Sequence, residues 1–175
     1  QPAPMRRTLR FSADSADAMH RVKIEDDSRV WLRFDKVHFV RRLLETLPAS
    51  DLVGLERVVL SDHVTSNRGL RRKAALGVYK RASRDGPAAI ELALEDALRG
   101  AGPCVRLLPL VPKLLIADAL FHEVAHHWLA TTSRKHHSGD SEEEARRYSK
   151  MAMARAFTTL RALQFVGGAW RRRGE

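Results

Sequence analysis

The stretch ALFHEVAHHWL, residues 119–129, constrains this chain more than any other. It sets His122, Glu123, His126 and His127 in an apolar run. From Leu114 to Ala130 there is no Gly or Pro, and Leu, Ala and Ile dominate, which predicts a helix. On a helix, positions i and i+4 lie one above the other. His122 and His126 therefore point the same way, and two imidazoles at that spacing can both reach one tetrahedral zinc ion at about 2.0–2.1 Å. Glu123 is rotated to the side of the first ligand, where it addresses a water rather than the metal.

This is the H-E-x-x-H pattern, two ligands plus a general base. The plainer reading is a set of packing histidines on an ordinary helix. Phe121, Val124 and Ala125 weigh against it, because uncharged neighbours suit a helix buried beneath a cleft floor. A buried His-Glu-His cluster without a metal would carry unpaired polar groups costing roughly 1–3 kcal/mol each. His127 faces elsewhere and is expected to be a polar surface residue.

The chain has 175 residues, enough for one compact domain with its own core. Residues 1–19 read as a loose N-terminal segment and residues 20–175 as a single domain. The single cysteine, Cys104, excludes an intramolecular disulfide and suits a reducing compartment. No apolar run reaches the roughly 18 residues needed to span a bilayer. The opening QPAPMRRTLRF lacks a charged-then-apolar leader pattern, so the expectation is a cytoplasmic protein with no membrane partner. The net charge of +10 permits an acidic partner such as nucleic acid. The arginines are spread along the chain, with LRRK at 70–73 and WRRRGE at the end the densest groups.

Upstream of the motif, HRVKIEDDSRVWLRFD (20–35) alternates as a hairpin turning at Asp26–Ser28. DKVHFVRRLLETL (35–47) has helical spacing and stops before Pro48. Strands are expected at 56–62, 75–81 and 88–94, the last two joined by the turn ASRDGP. Residues 95–106 read as a connector. A long helix is expected from Ser141 to about Phe165, closed by Gly167-Gly168. The order gives an α+β fold, with a short mixed or antiparallel sheet and an edge hairpin packed on the motif helix, not an alternating parallel sheet. The strand at 88–94 is a candidate sheet edge for an extended peptide, or an ordinary core strand.

A catalytic zinc usually takes three protein ligands and a water. The candidates for the third are Glu142, Glu143, His136 and His137. Glu144 fits a capping box with Ser141 and so has a structural task. The face of Glu142 continues through Ala145, Ser149, Ala152 and Ala156, all small. Such a stripe lets two helices approach closely, as a short carboxylate stem requires. Glu143 leads to Arg147 and Lys150, a solvated face. The order is Glu142 first, Glu143 second, then His137 or His136, whose stretch RKHH also suits an exposed basic turn.

H-E-V-A-H followed by Glu142, Ala145 and Tyr148 resembles the gluzincin arrangement and, more broadly, the small zincin-like metallopeptidases. It also resembles the ImmA/IrrE type, where a Glu on the following helix is the third ligand. The likeness covers roughly residues 35 to 165. It implies a zincin-like fold and a zinc-dependent peptidase with Glu123 as catalytic base and His122, His126 and Glu142 on the metal. Tyr148 and His136 are then candidate oxyanion donors. Arg146 departs from these patterns, which often place Asp or Asn four residues after the ligand Glu. A further resemblance is to the SprT-like proteases, which use a third His past a loop and act on proteins bound to DNA. The remaining alternative is a non-catalytic basic zinc-binding module.

Overall fold

The computed structural model describes residues 22–64, 76–84, 86–99, 108–132 and 138–171, with side chains of the last segment described over 140–158. In chain order the elements are β1 (Lys23–Asp26), α1 (Lys36–Leu44), a short 3-10 turn (Ala49–Leu52), β2 (Leu55–Ser61), β3 (Gly77–Lys80), β4 (Ala88–Ala93), α2 (Leu94–Arg99), α3 (Leu110–Thr131) and α4 (Ser138–Arg171). The fold is α+β. Its one four-stranded sheet is mixed, in the order β1-β2-β4-β3.

β1 and β2 pair in parallel, as do β2 and β4; only β3 runs antiparallel, against β4. The sheet is thus more parallel than expected. The predicted hairpin over 20–35 does not form. Asp26 does make its turn, accepting the Ser28 N–H at 3.2 Å, and the Arg29 N–H goes on to Asp62 at 2.8 Å. The alternation beyond it is real but serves burial alone. Val30 and Leu32 enter the core while Trp31 and Arg33 face solvent. Asp35 then caps α1 by accepting the His38 N–H at 2.8 Å. Phe39, Val40, Leu43 and Leu44 form the buried stripe of α1, and the chain returns to the sheet as β2.

The hairpin at 75–81 and 88–94 is present as β3 and β4, with Gly77 opposite Leu92 and Lys80 opposite Ala89. Its turn closes between Ser83 and Gly86 by two backbone hydrogen bonds. β4 is not a sheet edge. It lies between β2 and β3, and all six of its residues are buried. The run AAIELA is apolar at five of its six positions, the pattern of a strand covered on both faces. Its Glu91 is kept by Lys80 at 2.6 Å. The edge on this side of the sheet belongs to β3.

Residues expected to be a connector begin with α2, whose Leu94 and Leu98 are buried. α3 starts four residues earlier than expected and includes Pro112. A proline fits there because first-turn N–H groups have no helical partner to lose. Helix α3 packs on β3, β4 and α4. Its buried side includes Ile116, Leu120, Phe121 and Val124. Phe121 and Leu120 are fully enclosed, and each contributes roughly 1.5–3 kcal/mol by burial. Helix α4 begins at Ser138 and runs through Gly167-Gly168 to Arg171 instead of closing there. Ser141 therefore sits inside α4 and does not cap it, so the capping box with Glu144 is not formed. Among the described residues no helix is long and apolar enough to cross a membrane.

Candidate metal centre

Burial of the apolar side of α3 decides where the motif points. With Leu120, Phe121, Val124 and Ala125 in the core, His122 and His126 emerge together into a cleft of about 850 Å³. Their Nε2 atoms are 3.1 Å apart. The small-residue face of α4 meets α3 as its composition requires. Ala145, Ser149, Ala152 and Ala156 are all buried, and the Ser149 hydroxyl donates to Asp118 Oδ1 at 2.8 Å. That close approach delivers Glu142. Its Oε2 is 3.5 Å from His122 Nε2 and its Oε1 is 3.3 Å from His126 Nε2.

One carboxylate oxygen thus faces each imidazole nitrogen, and one donor atom from each of the three residues lies within 4.8 Å of the others, a convergence that suits a metal. Ligand atoms bound at 2.0–2.1 Å in a tetrahedron stand about 3.3 Å from one another. His122, His126 and Glu142 are a group that could hold a metal ion, and no fourth ligand belongs to it among the described residues. The donor set, two imidazoles and a carboxylate, is one that zinc takes. His126 is also prepared for the task. Burial, and then the neighbouring His122, push its pKa down despite the opposing charge of Glu142. The neutral, metal-binding imidazole is thereby favoured.

Glu123 is 7% exposed and does not join the ligand group. Its Oε2 accepts the backbone N–H of Tyr79 on β3 at 2.7 Å. A Cβ on Gly77 would stand 2.8 Å from Glu123 Cγ, so only glycine leaves room for this carboxylate beside the strand. Leu76 is bonded to Ala93 through its carbonyl, so in the antiparallel ladder Gly77 and Tyr79 turn their backbone groups away from β4, toward the cleft.

The other candidates fall elsewhere. Glu143 is exposed and pairs with Arg147 at 3.4 Å on the outer face of α4. His136 and His137 lie outside the described residues. Tyr148 does not line the cleft. Its hydroxyl donates to Asp51 at 2.6 Å and its ring stacks on Trp128, so it is not available as an oxyanion donor. Burial raises its pKa, and the Asp51 carboxylate raises it further. His127 is buried, not on the surface. Its Nε2–H donates to the Val53 carbonyl at 3.0 Å, and its Nδ1 has no partner among the described residues. The ring packs edge-on against Tyr79.

Sequence reasoning passed over Gly77 and Tyr79, although a glycine inside a strand pattern marks a close approach. It also passed over Asp118, one turn before His122, gave no task to Arg146, and set Lys150 on a solvated face with Arg147; all three line the cleft. No family model, curated protein or solved structure matches this chain, so the meaning of the cleft rests on its side chains.

Proposed function

We propose that this chain is a zinc-dependent peptidase of zincin-like design. The observation that carries the reading is the pairing of two things at one place. Three potential ligand side chains converge, one donor atom from each within 4.8 Å of the others, and open to a cleft, and a buried carboxylate sits next to them without joining them. A purely structural zinc usually closes with a fourth protein ligand and has no use for that carboxylate.

His122, His126 and Glu142 would hold the ion. Zinc, when bound, supplies a Lewis acid that activates water and polarises a carbonyl. The chain's own residues do the rest. Glu123 accepts the proton of the attacking water and returns it to the leaving amine. Gly77 and the carbonyl of Tyr79 offer outward backbone groups on an edge strand, where an extended peptide can add as a further strand, the Tyr79 N–H being held by Glu123. The role of peptide edge passes from β4, which is enclosed, to β3.

The SprT-like reading needs a histidine third ligand. Glu142 standing within 3.5 Å of both motif histidines favours the glutamate type instead. The test is a comparison of zinc-loaded wild type with Glu123→Gln on a mixed peptide library. Both should hold one zinc and melt alike. Hydrolysis should fall by about 10²–10⁴-fold in the variant, the usual weight of a positioned acid–base group. Equal rates, or no cleavage by folded zinc-loaded wild type, would remove the reading.

A further inference from the structure

Helix α4 carries three charged residues into the cleft, Glu142, Arg146 and Lys150, each four positions from the last. Residues so spaced stack one turn apart, about 6 Å along the axis. The first belongs to the metal group. The next two extend a line of positive charge away from it, along the wall facing β3.

Arg146 and Lys150 have no ion-pair partner among the described residues, whereas Arg147, on the outer face of the same turn, is paired with Glu143. Asp118, on α3 across the seam, spends Oδ1 on the Ser149 hydroxyl. A solvated helix face would show the same residues pointing outward. Here they are exposed but line the same cleft as His122 and Glu123. A guanidinium offers a rigid fork that matches a carboxylate in two parallel hydrogen bonds, and a flexible ammonium adds a second charge beyond it.

We propose that Arg146 and Lys150 form a carboxylate-recognition subsite, so that the cleft selects peptides bearing a negative charge a short, fixed distance from the bond at the metal centre. This rests on the peptidase reading for its substrate class but not for its test. An extended peptide advances about 3.3 Å per residue, so a charge about two residues from the scissile bond meets Arg146, and one about four residues away meets Lys150. The carboxylate can come from an Asp or Glu side chain or from the C-terminus of a short peptide.

The experiment uses zinc-loaded Glu123→Gln protein, which binds without cleaving. Acetylated, amidated alanine octapeptides with a single Asp stepped along the chain are titrated by calorimetry, with Asn peptides as neutral matches. A second set ends in a free carboxylate and has no Asp. One or two Asp positions should bind on the order of ten-fold more tightly than their Asn counterparts, the scale of a charge-assisted pair. Arg146→Gln should abolish that preference and Lys150→Gln weaken it. Arg147→Gln should leave it intact, which separates a local site from the overall charge of +10. Preference confined to the free-carboxylate set would assign the subsite to chain ends; preference for internal Asp would assign it to side chains. Affinity independent of Asp position, equal loss in Arg147→Gln, or no binding by any acidic peptide overturns the proposal. Failure of wild type to hydrolyse peptides that do bind in this pattern would remove the peptidase reading and leave the subsite standing.

Discussion

The carboxylate of Glu123 and the backbone N–H of Tyr79 are joined by a 2.7 Å hydrogen bond, which ties the motif helix to the edge strand of the sheet. The bond fixes one carboxylate oxygen in the cleft that also holds the candidate metal group. It also makes the strand's own backbone part of the cleft's geometry. The contact exists because residue 77 has no side chain.

Gly77→Ala tests that dependence. The new Cβ would sit 2.8 Å from Glu123 Cγ, and that carbon is near the root of a buried side chain with little freedom to yield. Overpacking of this kind typically costs about 1–3 kcal/mol. Zinc affinity should change little, since Glu123 is not a ligand. Hydrolysis should fall by about ten-fold or more through displacement of the base. Measuring kcat beside zinc content distinguishes this from collapse of the site; loss of metal with Glu123 still in place would contradict it.

Single alanine substitutions sort the acidic run. Glu142→Ala should empty the centre at zinc concentrations that saturate wild type, because two histidines alone leave the set incomplete. Glu143→Ala removes only an exposed pair with Arg147 and should change stability by less than about 1 kcal/mol, with zinc retained. Competitive titration against a chromophoric chelator reads both. An inverted result would transfer the ligand role to Glu143.

Much of this was legible in particular residues. The period of the motif helix placed both histidines on one face, and the small stripe from Ala145 to Ala156 foretold the close approach of α4. Local signals of that kind survive folding because they depend on one helix and its neighbour. Pairings between distant strands do not announce themselves in a period. Nothing within KIED says that it will run parallel to residues 57–60. The enclosed position of β4 was written in a run apolar at five of its six positions, and the edge position of β3 in its glycine and terminal lysine. His127 was misplaced for a physical reason. A helix packed on a sheet below and a second helix alongside buries more than one face, so an extra histidine beside the motif can be interior. No zincin-like assignment follows from these elements alone; it depends on the side chains at the cleft.

That interior histidine predicts an acid sensitivity. Burial pushes the pKa of His127 below its ordinary 6.5, only partly opposed by its bond to Val53. In the unfolded chain the ring binds a proton near pH 6.5, and in the native protein only at lower pH. Above that value both states are neutral and the group adds no pH dependence. As pH falls below 6.5 the unfolded state takes up the proton first, so native stability declines until the folded pKa is passed. His127→Phe removes the titration but strands the Val53 carbonyl, costing about 1–3 kcal/mol. In chelator-treated protein the variant should therefore be less stable at pH 7.5, and the gap to wild type should narrow toward pH 5. Denaturant midpoints across that range measure it; a constant gap would show that His127 does not titrate on unfolding.

The last prediction concerns the seam that sets Glu142 at the metal. Ala145 is fully buried between α3 and α4, one turn from Glu142. Ala145→Leu inserts three heavy atoms where the helices touch. The structure must respond by parting them, at a cost of about 1–3 kcal/mol, or by shifting rotamers throughout the seam. Parting carries Glu142 away from the histidines, and the carboxylate stem is too short to follow. Zinc affinity should then fall together with stability, although no ligand is altered. Ala145→Gly makes the comparison clean. It keeps the helices close, lowers stability by about 1 kcal/mol through helix propensity, and should leave the affinity near wild type. Plotting zinc affinity against melting temperature for the two variants separates the causes. If both fall on one line, affinity merely tracks global stability; if only the leucine variant loses zinc beyond its loss of stability, the close approach of the two helices is what builds the centre.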